Sequence, residues 1–442
     1  MKIEFLDLLQ CSYCGSDFKS GAIYEEKKGE LINGSVKCAC GEFAVIEGIL
    51  NIKSGPLNNY VLDSLAAHRL DEAAGLSLWK YAEDICRIAS LPESGVLGRL
   101  LLSLAKLRAK RIYKKYRDKD LSFLNLLGND ESDIYLKHRF STESFWPVYP
   151  FIPVLREKRE RILDLSCGSG HASFILSKYV KPGELVCADY SFRNLYQAKK
   201  YFVKDAEFIC LDANYPMPFK DDIFSAVFNL DAFHYIRART LLAREMERLL
   251  LPQGVLLLLH VHNSLVSNDP AIDGIPLSSL NWVRLFQQIP VRAFPEKSLI
   301  TDSIQNNRLD LLKEYAEAEL NTDSAICLVG TVDKVLIKIY EEINDELLMH
   351  KDNLIVNPLY RIEDKGVGAV LHRRMPSELF RKEYPLIEEY LPEEQIIDKG
   401  LSRILKGRTL SLTRAVISEE DLRNVENLMK KFVVLNVPEN YY

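Results

Sequence analysis

The chain predicts an α/β protein whose core is a parallel sheet flanked by helices. A small cysteine-rich module and a helical region precede this core, and a small α+β segment follows it. Three observations carry the prediction. Apolar runs at 161–165, 184–189 and 207–212 alternate with helix-like segments, and an acid stands at the end of each. Gly168 and Gly170 fill the turn between the first run and its helix. Of the nine cysteines, Cys11, Cys14, Cys38 and Cys40 are grouped near the start, while the others are scattered singly.

With 442 residues and 47% hydrophobic content, the chain has the means to bury real cores in about three domains of ordinary size. Its net charge of −5 gives no general attraction to nucleic acid. The longest apolar run, 255–261, has the length of a buried strand rather than a membrane span. Acids at Glu4 and Asp7 stand where a signal peptide would be basic and then apolar. Together with singly placed thiols, this predicts a cytoplasmic protein with no membrane association.

Residues 1–54 read as one module. Four thiolates in two knuckles, C-x-x-C at 11–14 and C-x-C at 38–40, are a full tetrahedral set for structural zinc. About fifty residues hold a fold poorly by apolar burial alone, so a metal staple is expected. Residues 55–150 read as helical. Lys106, Arg108, Lys110, Arg111, Lys114, Lys115, Arg117 and Lys119 form a basic run, with Leu104, Leu107, Ile112, Tyr113 and Tyr116 recurring on what is read as the packed side. The aromatic and basic stretch 135–146, including His138, precedes the first core strand, and its composition suits a lid over a bound ligand as well as packing against the helical region.

The core reads as residues 151–333. A strand ending at Asp164, a turn through Ser166, Gly168 and Gly170, and then a helix let a ligand approach bare backbone near open amides. Asp189, followed by Tyr190, ends the second strand, where a carboxylate can accept two ribose hydroxyls. Ser173 holds the place of the third glycine that a pyrophosphate cofactor needs. Asp212 and Ala213 end the third strand, placed for an adenine amino group. Asn229 sits at the end of the fourth. This is a pocket for adenosine with a zwitterionic tail.

This order of motifs, from Arg161 to Asn263, resembles the class I S-adenosylmethionine-dependent methyltransferases. The resemblance implies a seven-stranded Rossmann-like sheet and S-adenosylmethionine as cofactor. Asp164, Gly168 and Gly170 lie under its methionine part, Asp189 on its ribose and Asp212-Ala213 at its adenine edge. Ser225 stands where the family often has Asp, and Ser166-Cys167 where Gly-Cys is common. The N-terminal module resembles the zinc-ribbon domains related to the activator subunit of several methyltransferases, through Cys40-Gly-Glu-Phe43 and Ile46-Glu47-Gly48-Ile49. Its C-x-C knuckle departs from their pattern.

On the acceptor side, His234 follows the fourth strand, and His260 and His262 alternate with Val261 on the fifth, so the last two share a face. Imidazoles there are candidate general bases for an oxygen or nitrogen acceptor. Metal-dependent catalysis would need further carboxylates at a matching spacing, and no such cluster accompanies them in the sequence. Residues 263–305 read as an insertion shaping the acceptor pocket, 311–320 and 324–331 as the closing hairpin, and 334–442 as an accessory domain.

Methyl transfer to a small metabolite or modified peptide is favoured by the acidic charge, the insertion and the appended domain. Transfer to RNA is suggested by the ribbon and the 106–119 run, but no Asn-Pro-Pro-Tyr-like tetrapeptide follows strand four, where Asn229-Leu-Asp-Ala stands. A non-catalytic scaffold is disfavoured by the intact acids Asp164, Asp189 and Asp212.

Overall fold

The computed structural model describes residues 1–118, 120–128, 130–158, 160–266, 274–343, 348, 351, 353–412 and 417–442. Lys119 of the basic run and 267–273 of the insertion lie outside the described residues.

The N-terminal module supplies β1 (Lys19–Lys27), β2 (Glu30–Cys38), β3 (Gly41–Ile46) and β4 (Ile49–Asn51). The core supplies β5 (Ile162–Leu165), β6 (Leu185–Asp189), β7 (Glu207–Cys210), β8 (Phe224–Leu230), β9 (Leu250–His262), β10 (Val291–Pro295) and, after a short β11 (Arg308–Asp310), β12 (Ala325–Gly330). Among the described residues, eleven strands join one sheet in the order β1-β2-β3-β4-β7-β6-β5-β8-β9-β12-β10. From β7 to β9 the pairing is parallel, and β12 runs antiparallel between β9 and β10. β5, β6, β7 and β8 are buried along their whole length, as both faces of a helix-covered parallel sheet require.

Two expectations are corrected. The strand beside β12 is Val291–Pro295, from within 263–305, and not 311–320, where a turn and the short helix Glu317–Leu320 stand. With one arginine, one proline and no clean alternation, β10 has little local signature. The N-terminal module is also not a separate unit. β4 pairs in parallel with β7, Ile49 facing Phe208 and Asn51 facing Cys210, so its four strands continue the core sheet.

The helical region holds α1 (Pro56–Ala66), α2 (Leu70–Leu78), α3 (Ala82–Ala89) and α4 (Gly95–Arg117). The expected packed face of α4 holds at Ile112, Tyr113 and Tyr116, which pack on the core, and is corrected at its two leucines. Leu104 and Leu107 are exposed, and Ala105, Ala109 and Tyr113 are buried. Small residues win that face because α2 comes very close: a Cβ on Gly75 would lie 2.0 Å from the Ala109 carbonyl oxygen. The basic run is partly neutralised here, since Lys106 and Lys110 reach the buried Glu72 at 3.4 Å each and Arg117 reaches Asp71 at 3.2 Å. Among the described residues no single helix is long and apolar enough to cross a membrane.

The C-terminal segment docks on the core through aromatic and polar contacts. Phe432 stacks on Trp146 with ring centroids 4.7 Å apart. Asn357, fully buried, accepts from Ser141 Oγ at 2.8 Å and donates to the Phe432 carbonyl at 2.8 Å. Tyr441 enters an aromatic cluster with Phe123, Phe140, His171 and Phe202.

Candidate functional site

The turn after β5 is tightly curled, with φ of +59° at Ser166, +55° at Gly168 and +94° at Gly170. The two glycines serve different ends. A Cβ on Gly168 would meet nothing within 4 Å, so the backbone there faces open space. At Gly170 it would lie 2.8 Å from the Ala198 Cβ, so the second glycine admits a packed helix. Asp189 ties this turn to the next strand end, its carboxylate accepting from Gly168 N at 2.9 Å and Ser191 N at 2.7 Å. Burial raises the Asp189 pKa, and these two amides oppose the rise. Asp164 lies beneath, hydrogen-bonded by the Ser173 hydroxyl, and burial pushes its pKa up to about 7. Ser173 thus replaces the third glycine with a donor for the motif's own acid.

Asn229 donates to the Leu165 carbonyl at 2.7 Å, and its buried Oδ1 has no hydrogen-bond partner among the described residues. Asp212 accepts from the backbone and side chain of Asn214 at 2.9 Å each, beside the buried Ala213. Next to it opens a cavity of about 200 Å³ walled by Tyr13, Lys53, Tyr190 and Asp212. Lys53 sits 4.1 Å from the centre of the exposed Tyr190 ring and donates to the Tyr190 carbonyl at 3.0 Å. Tyr13 and Lys53 come from the N-terminal module, a contribution that its distance in sequence concealed. An open glycine backbone, acids at three successive strand ends and an unpartnered amide oxygen fit an adenosine-bearing cofactor with a charged tail.

The four N-terminal cysteines converge, with one sulfur atom from each lying within 4.8 Å of the others. Cys40 Sγ lies 3.3 Å from Cys38 and 3.5 Å from Cys11. A tetrahedron of zinc–sulfur bonds near 2.3 Å separates its sulfurs by roughly 3.8 Å, so the set fits that ion. The hairpin between β2 and β3 explains the C-x-C spacing: Cys38 pairs with Gly41, leaving a two-residue turn that holds Ala39 and Cys40.

Beyond the ends of β8 and β9 opens a cavity of about 720 Å³. His260 and His262 line it from the end of β9, Glu296 and Asp323 from beyond β10 and before β12, Tyr135 and Glu143 from the 131–143 stretch, and Phe380, Tyr384 and Leu386 from the C-terminal segment. His138 does not reach it and instead packs against Phe380. Of the described residues of the 263–305 stretch, Glu296 and Lys297 line it. His234 is fully buried behind the wall, its ring centre 4.2 Å from that of His262.

Asp231, in the turn after β8, is the residue that spacing did not reveal. It joins His260 and His262 so that one donor atom from each lies within 4.8 Å of the others. Asp231 and His260 both have φ of +56°, a conformation uncommon for residues with a Cβ. At His260 the cause is a bulge, since Leu259 and His260 of β9 together stand opposite the single Cys327 of β12. The Tyr135 hydroxyl donates to Asp231 at 2.9 Å, and Arg139 lies 3.2 Å from the same oxygen. His260 Nδ1 lies 2.6 Å from Glu296. Burial opposes charge on His260, but Glu296 and Asp231 outweigh it and push its pKa up to about 9. Burial pushes His234 down to about 4 and, with His260 and His234 nearby, His262 down to about 3.

Residues 163–258 match the family described as "Methyltransferase domain". No curated protein matches the chain. Solved structures similar to it include a chain of the complex containing the Haloferax volcanii Trm112 methyltransferase activator, with 19% identity, a TM-score of 0.35, and coverage of 46% of this chain and 98% of that one. Another is the YcgJ protein of Bacillus subtilis, with 19% identity, a TM-score of 0.29, and coverage of 40% and 96%. A third is a TehB-like SAM-dependent methyltransferase from Corynebacterium glutamicum, with 16% identity, a TM-score of 0.31, and coverage of 42% and 86%. By its family match and its strand order, the stretch 163–258 is a class I S-adenosylmethionine-dependent methyltransferase domain, and methyl transfer is the activity this chain carries.

Proposed function

We propose that the enzyme methylates an oxygen or nitrogen of a small metabolite or modified peptide held in the cavity beside His260 and His262. The observation that carries this reading is the cavity itself. At about 720 Å³ it has the size of a small-molecule site, and the C-terminal segment closes one side of it. Its lining holds Glu131, Glu143, Asp231, Glu296, Asp323, Glu383 and Glu389 against Lys297 and Lys382. Burial keeps Glu143 protonated to about pH 8 and His260 adds a positive charge, yet acids still outnumber bases on this wall, which offers a phosphodiester backbone no net attraction. The basic helix offers RNA little in exchange, because Glu72 and Asp71 already engage part of its charge.

The cofactor supplies an activated methyl group, and the protein's work is alignment. Asp189 is positioned to accept the ribose hydroxyls, Asp212 and Tyr190 to flank the adenine, and Gly168, Gly170 and Asn229 to meet the methionine end. Four cysteines, Cys11, Cys14, Cys38 and Cys40, would hold a structural zinc ion that fixes the knuckle carrying Tyr13, while the β4–β7 ladder brings Lys53 beside Asp212.

The test follows labelled methyl groups from S-adenosylmethionine into cell extract treated or not treated with nuclease. Label in a nuclease-resistant small-molecule or peptide fraction supports the reading, and label lost to nuclease overturns it. With the substrate in hand, His260→Ala or His262→Ala is expected to lower turnover by roughly a hundredfold while cofactor affinity stays near wild type.

A further inference from the structure

We propose that Asp231, His260 and His262 bind a divalent first-row transition-metal ion at the wall of the acceptor cavity. One carboxylate oxygen and one nitrogen from each ring already lie within 4.8 Å of one another. An ion with bonds of about 2.0–2.2 Å draws neighbouring ligands to roughly 3 Å, a closure that side chains make without moving the strands.

Two of the three side chains are held by the end that does not ligate. Asp231 Oδ2 accepts from the Tyr135 hydroxyl at 2.9 Å and lies 3.2 Å from Arg139, while Oδ1 turns toward the histidines, 3.9 Å from Nε2 of His260 and of His234. His260 Nδ1 is engaged by Glu296 at 2.6 Å, which aims Nε2 at Asp231. A carboxylate behind a ligating imidazole fixes its tautomer and ring plane.

A second observation points to the same place. Nδ1 of His262 and both ring nitrogens of His234 are buried without a hydrogen-bond partner among the described residues, and His234 is fully enclosed. Buried polar atoms are rarely left so. The His234 and His262 rings lie 4.2 Å apart, and Nε2 of His234 is 3.9 Å from Asp231 Oδ1, so these unpartnered nitrogens gather beside the carboxylate and mark a place for a ligand that accepts nitrogen donors.

Two imidazoles and one carboxylate suit manganese, iron, cobalt or zinc, whereas magnesium and calcium favour all-oxygen sets. All three residues line the cavity, so the remaining coordination positions face it. A hydroxyl or amine of an acceptor can take one of them. A bound hydroxyl would lose its proton more easily, the proton passing to water. That role rests on the proposed acceptor cavity; the metal site does not.

The experiment is a cobalt titration of the full-length protein after dialysis against a weak chelator. The expected result is one equivalent giving weak ligand-field bands without thiolate charge transfer, which separates it from the cysteine site. Asp231→Asn and His262→Gln, both close in shape to the native residues, should each weaken this equivalent at least tenfold and leave any thiolate-bound cobalt unchanged. Thermal unfolding identifies a variant that fails to fold, in which case the other decides. Absence of a non-thiolate equivalent, or unchanged affinity in the folded variants, overturns the proposal. Neither substrate nor cofactor enters the measurement, so its failure is distinct from failure of the methyl-acceptor reading.

Discussion

Nδ1 of His260 and Oε1 of Glu296 lie 2.6 Å apart, joining the end of β9 to the first residue of the helix Glu296–Asn306. The link spans three strands of the sheet, for Cys327 of β12 stands between them with its sulfur 3.6 Å from the other Glu296 oxygen. Glu296 is almost fully buried, and burial raises its pKa. A carboxylate is kept in such a place at a cost in solvation, which its hold on His260 offsets.

Glu296 is accordingly a positioning residue. Glu296→Gln should weaken cobalt at the Asp231–His260–His262 site by roughly ten- to a hundredfold, in the titration described above. A purely structural role would lower the melting temperature and leave that affinity in place.

Asp189→Ala should weaken S-adenosylmethionine binding by about tenfold to a hundredfold, the loss of charge-assisted hydrogen bonds worth roughly 1.5–3 kcal/mol. Calorimetry on folded protein checks it. Because Asp189 also accepts from Gly168 N and Ser191 N, Asp189→Asn should recover part of the loss.

Gly75→Ala should destabilise the protein by roughly 1–3 kcal/mol, as overpacking does. The added methyl would sit 2.0 Å from the Ala109 carbonyl oxygen, forcing α2 and α4 apart. Thermal or denaturant unfolding reads the change, and Gly29→Ala provides the contrast of an exposed left-handed turn with no neighbour within 4 Å.

Glu143 gives a pH dependence with a definite sign. Burial pushes its pKa up to about 8, above the unfolded carboxylate value, while it accepts a hydrogen bond from Leu386 N. The protonated form therefore favours the fold, a contribution complete below about pH 4 and lost as pH rises through about 8. Glu143→Gln keeps the acceptor oxygen without the charge. Its melting temperature should exceed that of wild type above pH 8 and approach it near pH 4.

Much of the cofactor half was legible because its signals are local. Glycines beside a strand end, and acids at the ends of 161–165, 184–189 and 207–212, follow from the geometry of a βα unit. The pairing of His260 with His262 was legible for the same reason, through the period of a strand. What escaped was set by distance along the chain. Asp231 is one acid in a turn until the fold brings β9 beside it. Glu296 lies thirty-six residues from His260 in sequence. β10 is five residues with a proline, and only its place in the sheet identifies it. On α4 the packed face was legible at Ile112, Tyr113 and Tyr116 but not beside them, where Ala105 and Ala109 let α2 approach and Leu104 and Leu107 are left exposed.

The ladder between β4 and β7 bears on how the enzyme behaves as a material object. A ribbon borne on a separate chain would leave the Glu207–Cys210 edge bare whenever the two parted, and bare edges recruit other strands. Here the covering strand is covalently attached, so the pairing is intramolecular and its completeness does not vary with protein concentration. Dilution, which dissolves partnerships between chains, leaves this one whole.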